Sequence, residues 1–284
     1  MMEDKICVVT GANAGIGLET AKALCAKGAT TVFVCRSEEK AKKAIKDVKK
    51  EVPEAKTDYA IADLSSQKQK REMAQNLLDK YEKIDVLVNN AASWFSDLEL
   101  TEDNIERQWA INHLSPFLLT HLLIPALQKA QDPRVIIVSS DSHFHGKIHF
   151  NDVNLKHNYH GLRAYAQSKL ANVLFTFEFD RRKTFNHISI NAVQPGLVKT
   201  DIGTKHTTSL HGLMWKLRRL GGVSPEKGAA TSVYLASLNE ARGITGKYWD
   251  KCKPKQASRN AYNTEDAARL WELSQEMCGI RNYF

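Results

Sequence analysis

Lys5-Ile6-Cys7-Val8-Val9-Thr10-Gly11-Ala12-Asn13-Ala14-Gly15-Ile16-Gly17 is the stretch that decides the fold. Lys5 to Thr10 is a short, β-branched apolar run, which reads as a strand buried on both faces. It breaks into glycines at 11, 15 and 17, and the pattern from Leu18 to Lys27 predicts a helix. Glycines so placed permit a tight turn and let backbone N–H groups approach a pyrophosphate, which the helix N-terminus also favours. Gly11, Asn13, Gly15, Ile16 and Gly17 are therefore the candidate phosphate-facing residues, in a G-x-x-x-G-x-G spacing; the other reading is a tight turn without a ligand.

Working outward, similar runs recur at Thr30 to Cys35, Tyr59 to Leu64, Asp85 to Asn89, Arg134 to Ser139 and Ile188 to Val193, with a shorter one at Gly246 to Trp249. Helical patterns lie between them. That alternation predicts an α/β Rossmann fold: a doubly wound, mostly parallel seven-stranded sheet with helices on both faces. With 284 residues, 43% of them hydrophobic and 25% charged, residues 1–284 are expected to form a single domain.

The formal charge of +8 is spread along amphipathic stretches such as Glu38 to Lys50 with acids interleaved, so no nucleic-acid partner is expected. Five scattered cysteines show no disulfide or metal spacing. Five histidines between Asp141 and Gly161 lack ligand spacing too, and no metal is expected; that interval reads as a substrate-flanking loop. Ile6 to Val9 is too short for a signal or membrane segment, so the expectation is a cytoplasmic protein without an integral membrane anchor.

Where the second strand ends, Arg36 stands in place of the acid that would meet the ribose 2′-hydroxyl of NAD. A guanidinium suits a 2′-phosphate, with Ser37 and Lys40 as helpers, so NADP(H) is favoured over NAD(H); the plainer reading is an exposed loop arginine. Asp63-Leu64, after the third strand, is placed either to meet an adenine amino group or to begin a helix. Asn112 is a polar residue within an apolar helix, either a buried hydrogen-bonding residue or part of a proton path. Tyr165 and Lys169, four apart, share one helix face, and an ammonium beside a phenol lowers its pKa. Residues 199–223 mix turn formers with Leu210, Leu213, Met214 and Trp215, which suits a substrate lid or a packed helix equally.

In order along the chain, these motifs resemble the short-chain dehydrogenase/reductase family over nearly its whole length. The resemblance implies that Asn112, Ser140, Tyr165 and Lys169 form a catalytic tetrad and that Asn90 belongs to the family's Asn-Asn-Ala-Gly element, with Ala92 departing from its glycine. It further implies that Pro195, Val198 and Thr200 form a loop facing the nicotinamide carboxamide. The wide Ser140 to Tyr165 interval and the tail from Gly246 to Trp271 are similar to the retinol dehydrogenase-like branch, without its N-terminal membrane anchor. The implied activity is NADP(H)-dependent hydride transfer on a small-molecule alcohol, aldehyde or ketone, lipophilic if the lid reading holds. A non-catalytic NADP(H)-sensing or scaffold protein on this fold is the alternative, and homo-oligomerisation is compatible with either.

Overall fold

Along β1 (Ile6–Thr10) successive side chains enter different cores: Cys7 and Val9 face one, Val8 the other. That is the behaviour of a strand covered on both sides. The structure, a computed structural model, describes residues 2–185, 187–198 and 222–284. From β1 the chain passes through α1 (Gly15–Ala26), β2 (Thr30–Cys35), α2 (Glu38–Glu51), β3 (Thr57–Ile61), α3 (Gln67–Lys80) and β4 (Val86–Asn89). There follow α4 (Arg107–Trp109), a π-helical turn at Ala110–Leu114, α5 (Ser115–Leu127), β5 (Arg134–Val138), α6 (Gly161–Arg182) and β6 (Ser189–Gln194). The chain closes with α7 (Pro225–Ser237), β7 (Lys247–Asp250), β8 (Lys253–Pro254) and α8 (Thr264–Cys278).

The strands are ordered β3-β2-β1-β4-β5-β6-β7-β8, all parallel except the last pair. The sheet therefore has eight strands among the described residues rather than the seven expected. β8 escapes a reading of periodicity because it is two residues long and contains a proline. Lys251 and Cys252, both at positive φ, double the chain back to make it. α1, α2 and α7 cover one face of the sheet, and α3, α5, α6 and α8 the other. The run Arg107–Leu127 is long and apolar enough to cross a membrane, but most of it is buried against α3 and α6.

Local chemistry explains the element ends that shape the site. Ser37 caps α2 by accepting the Lys40 N–H at 3.3 Å, and Ser66 caps α3 by accepting that of Gln69. The chain order reverses between β1 and β4, and both strands end there, one in the glycine turn and the other at Asn90. In a doubly wound sheet that carboxyl-end crevice is where a ligand sits.

Candidate active site

The glycine turn is held from below by Thr10. Its buried hydroxyl accepts the N–H groups of Asn90 and Ala91 at 3.0 and 2.9 Å, while the Asn90 amide donates back to the Thr10 carbonyl at 2.8 Å. Gly11 and Gly15 sit at φ of +68° and +56°. A Cβ added to Gly17 would come within 2.4 Å of both the Gly11 carbonyl oxygen and the Asn90 amide nitrogen. α1 then starts at Gly15, three residues ahead of Leu18, because the turn spends its glycines on the first helical turn. Ala14 gives that end no side-chain cap, and the first turn carries no acid. A helix start with uncapped N–H groups and a floor closed to side chains fits the pyrophosphate of a dinucleotide.

Across the crevice, Arg36 is exposed at the end of β2, beside the half-buried Asp63 at the end of β3. Burial would raise the Asp63 pKa, but hydrogen bonds from the Ser65 N–H and hydroxyl, at 2.9 and 2.7 Å, outweigh it, aided by the fields of Arg36 and Arg107, and hold the carboxyl below its usual range. Asp63 thus closes a turn onto Ser65 and leaves the helix cap to Ser66. Leu64 is buried and Lys40 exposed.

At the far end, Gly196 adopts φ +81°, and its N–H donates to the Gln194 side chain at 3.1 Å. Val198 bridges to Val223 and lies over Gly228 of α7, where an added Cβ would meet Val198 at 2.6 Å and Ile16 at 3.2 Å. The loop behind Pro195 and the glycine turn therefore meet on one helix. Thr200 and residues 199–221 of the segment 199–223, expected as a substrate lid or a packed helix, lie outside the described residues.

The centre is built by β5 and α6. Successive strand residues point to opposite faces. Ser139 turns inward and donates to the Lys169 carbonyl at 2.8 Å, leaving Ser140 to face Tyr165, whose pKa its hydroxyl lowers. Lys169 is fully buried, donates to the Val138 carbonyl at 2.9 Å, and stands 5.5 Å from the centroid of the Tyr165 ring. Burial alone pushes Lys169 down to about 7. Burial also raises Tyr165 to about 12, only partly offset by Ser140. The expected lowering of Tyr165 by Lys169 does not show in this arrangement, because desolvation acts on both groups and a lysine pushed to about 7 is only about half charged at neutrality.

Asn112 lies in the π-helical turn and is buried. It accepts the Ser93 N–H at 2.8 Å and donates to the Ser93 carbonyl at 3.0 Å and to the Ser168 hydroxyl at 3.1 Å; Ser168 in turn donates to the Tyr165 carbonyl. Its amide thus joins the segment after β4 to the Tyr165 helix without reaching Lys169 directly. The four tetrad positions come together at one place. Thr10, Ser93 and Ser168, which support them, were not singled out by sequence. The only signal was position: a polar residue closing an apolar strand, or one preceding Lys169 on the inner face of a helix.

A family model described as short chain dehydrogenase matches residues 5–210. Human retinol dehydrogenase 13 is 38% identical over 283 residues, covering 97% of this chain and 85% of that protein. Mouse retinol dehydrogenase 14 is 35% identical over 292 residues, covering 99% and 87%. Among solved structures, a putative uncharacterized protein from Mycobacterium paratuberculosis superposes with a TM-score of 0.79 at 30% identity, covering 98% of this chain and 95% of that one. A Shigella flexneri short chain dehydrogenase complexed with NADP shares the fold, with a TM-score of 0.66 at 22% identity over 89% and 98% of the two chains.

Proposed function

Because this chain belongs to the short-chain dehydrogenase/reductase family, oxidoreductases that act on CH–OH and C=O groups with NAD(P), we propose that it interconverts a lipophilic alcohol and its carbonyl compound using NADP(H). The observation that carries this reading is the Ser140 hydroxyl facing Tyr165, with Lys169 one helical turn on, beside a glycine turn fit for a pyrophosphate. Bound NADP(H) supplies the hydride chemistry. In reduction Tyr165 donates its proton to the substrate oxygen; in oxidation its phenolate takes the proton back. Ser140 hydrogen-bonds the same oxygen and stabilises its developing charge. Lys169 would hold the nicotinamide ribose, Asn112 keeps Ser93 and α6 in register, and Arg36 would meet the 2′-phosphate.

A lipophilic substrate is supported by exposed Phe144, Leu162 and Leu197, which lie close in sequence to Ser140, Tyr165 and Pro195-Gly196, and by the names of the relatives. The test presents NADPH, then NADP⁺, to purified protein with a panel of aldehydes, ketones, retinoids and steroids, following cofactor absorbance. Tyr165→Phe should cut turnover by about 10² to 10⁴-fold while NADPH affinity stays near wild type. Near-normal turnover in that variant removes Tyr165 from the mechanism. NADPH binding without turnover on any of the panel favours a sensor or scaffold instead.

A further inference from the structure

We propose that His143 is a positioning residue that aims Ser140 at the substrate oxygen and anchors it to the C-terminal segment. This rests on the reading of Ser140 given above. Ser140 opens the 3₁₀ turn Asp141–His145 in an extended conformation, φ −166° and ψ 156°. The residue before it is tied to the sheet, since the Ser139 N–H donates to the Val193 carbonyl at 2.7 Å. The ψ of Ser140 is set by where its carbonyl points, and that carbonyl receives two bonds from one residue: the His143 backbone N–H at 3.1 Å and the His143 Nδ1 at 2.8 Å. With the preceding residue in the sheet and ψ held, Ser140 leaves the strand in one direction, and its hydroxyl accepts the Ser142 N–H at 3.1 Å.

The neighbours dictate the tautomer. A carbonyl oxygen only accepts, so Nδ1 carries the hydrogen; Nε2, 3.0 Å from the Ser258 N–H, must then be the acceptor. A charged ring would point a hydrogen at that N–H, and burial, the largest influence, lowers the His143 pKa in keeping with a neutral imidazole. The ring is fully buried between Phe144 and Tyr248, with centroids 4.2 and 4.7 Å away. Around it the turn is fastened twice more to the same segment. The Tyr248 hydroxyl donates to Asp141 at 3.3 Å, and the Asn260 amide donates to the Gly146 carbonyl at 3.1 Å. Gly146 itself lies so close to α6 that an added Cβ would meet the Ala166 carbonyl oxygen at 2.5 Å.

An amide can replace either ring nitrogen separately, which makes the role testable. In His143→Asn the amide nitrogen can stand where Nδ1–H does; in His143→Gln the amide oxygen can stand where Nε2 does. We expect His143→Ala to lower kcat by about 10- to 100-fold, as misplacement of a reacting group does, with the KM for NADPH unchanged. His143→Asn should recover most of kcat but not Tm, and His143→Gln should recover Tm but not kcat. On a Ser140→Ala background His143→Ala should lower kcat no further. Additive losses in that cycle, or an Asn variant as slow as the Gln variant, overturn the proposal; the Asn and Gln pair decides it if the Ala variant does not fold. Full kcat in Ser140→Ala alone would instead sink the reading of Ser140, a result separable from any effect at His143.

Discussion

Lys169 is an amine buried without a carboxylate beside it among the described residues, and desolvation lowers its pKa from the ordinary 10.5 to about 7. Between those values the unfolded chain holds the proton and the folded chain does not, so this group's contribution to stability rises with pH and its penalty is full below about 7. Lys169→Met removes the penalty. It should raise Tm most below about pH 7, with the gain fading toward 10.5, and should abolish turnover; thermal scans across that range check it, and a variant no more stable than wild type at acid pH would show that the burial costs nothing. Arg36 poses the opposite case, an exposed cation whose proposed use lies in a ligand. If it pairs with a 2′-phosphate, a charge-assisted bond of roughly 1.5 to 3 kcal/mol gives NADPH about a 10- to 10²-fold advantage over NADH. Arg36→Asp should erode or invert that ratio in competing titrations. Equal binding of both nucleotides by the wild type leaves Arg36 an ordinary loop residue.

Two glycines with different geometry separate close packing from backbone strain at the scale of single turns. An alanine at Gly17 drives its Cβ into the Gly11 carbonyl and the Asn90 amide, so the turn between β1 and α1 must open. At Gly196 the φ of +81° is unfavourable for alanine, but nothing among the described residues lies within 4 Å of an added Cβ, and these leave a cost of roughly 1–2 kcal/mol of backbone strain. Gly17→Ala should therefore abolish NADPH binding as followed by fluorescence, whereas Gly196→Ala should lower Tm modestly and keep it. The elements themselves were legible to different degrees. β2 runs over Thr30–Cys35 as its β-branched run predicts, whereas β3 covers Thr57–Ile61 instead of 59–64. The apolar signal outlasts the strand there because Ala62 and Leu64 stay buried after pairing ends. The π-helical turn that carries Asn112 left no mark in the sequence, since Ala-Ile-Asn-His-Leu is as compatible with an ordinary helix. Likewise the clamp on the Ser140 turn joins residues more than a hundred positions apart, beyond the reach of any local pattern.

At the scale of the whole fold, Tyr283 and Phe284 complete an aromatic cluster. Tyr283 is buried with its ring 4.4 Å from that of Trp271 and 4.6 Å from that of Phe117, its hydroxyl donates to the Phe117 carbonyl at 2.6 Å, and Phe284 packs on Phe179 and Phe185. This aromatic cluster seals the α5, α6 and α8 face, opposite the face that carries α1 and the glycine turn. Tyr283→Ala should cost about 3 to 5 kcal/mol in denaturant unfolding and leave NADPH affinity in the folded fraction unchanged; a loss of affinity without a loss of stability would mean that the two faces are coupled. The fastening of the Ser140 turn to Tyr248, Ser258 and Asn260 also has a meaning in time. Every residue of the glycine turn and its Thr10–Asn90 clasp has been synthesised once Ala91 is joined, whereas Tyr248, Ser258 and Asn260, the partners that fix the Ser140 turn, follow far behind it in the chain. A growing chain therefore holds the parts of this clasp long before the Ser140 turn can be fastened, and the order of synthesis separates the two in time.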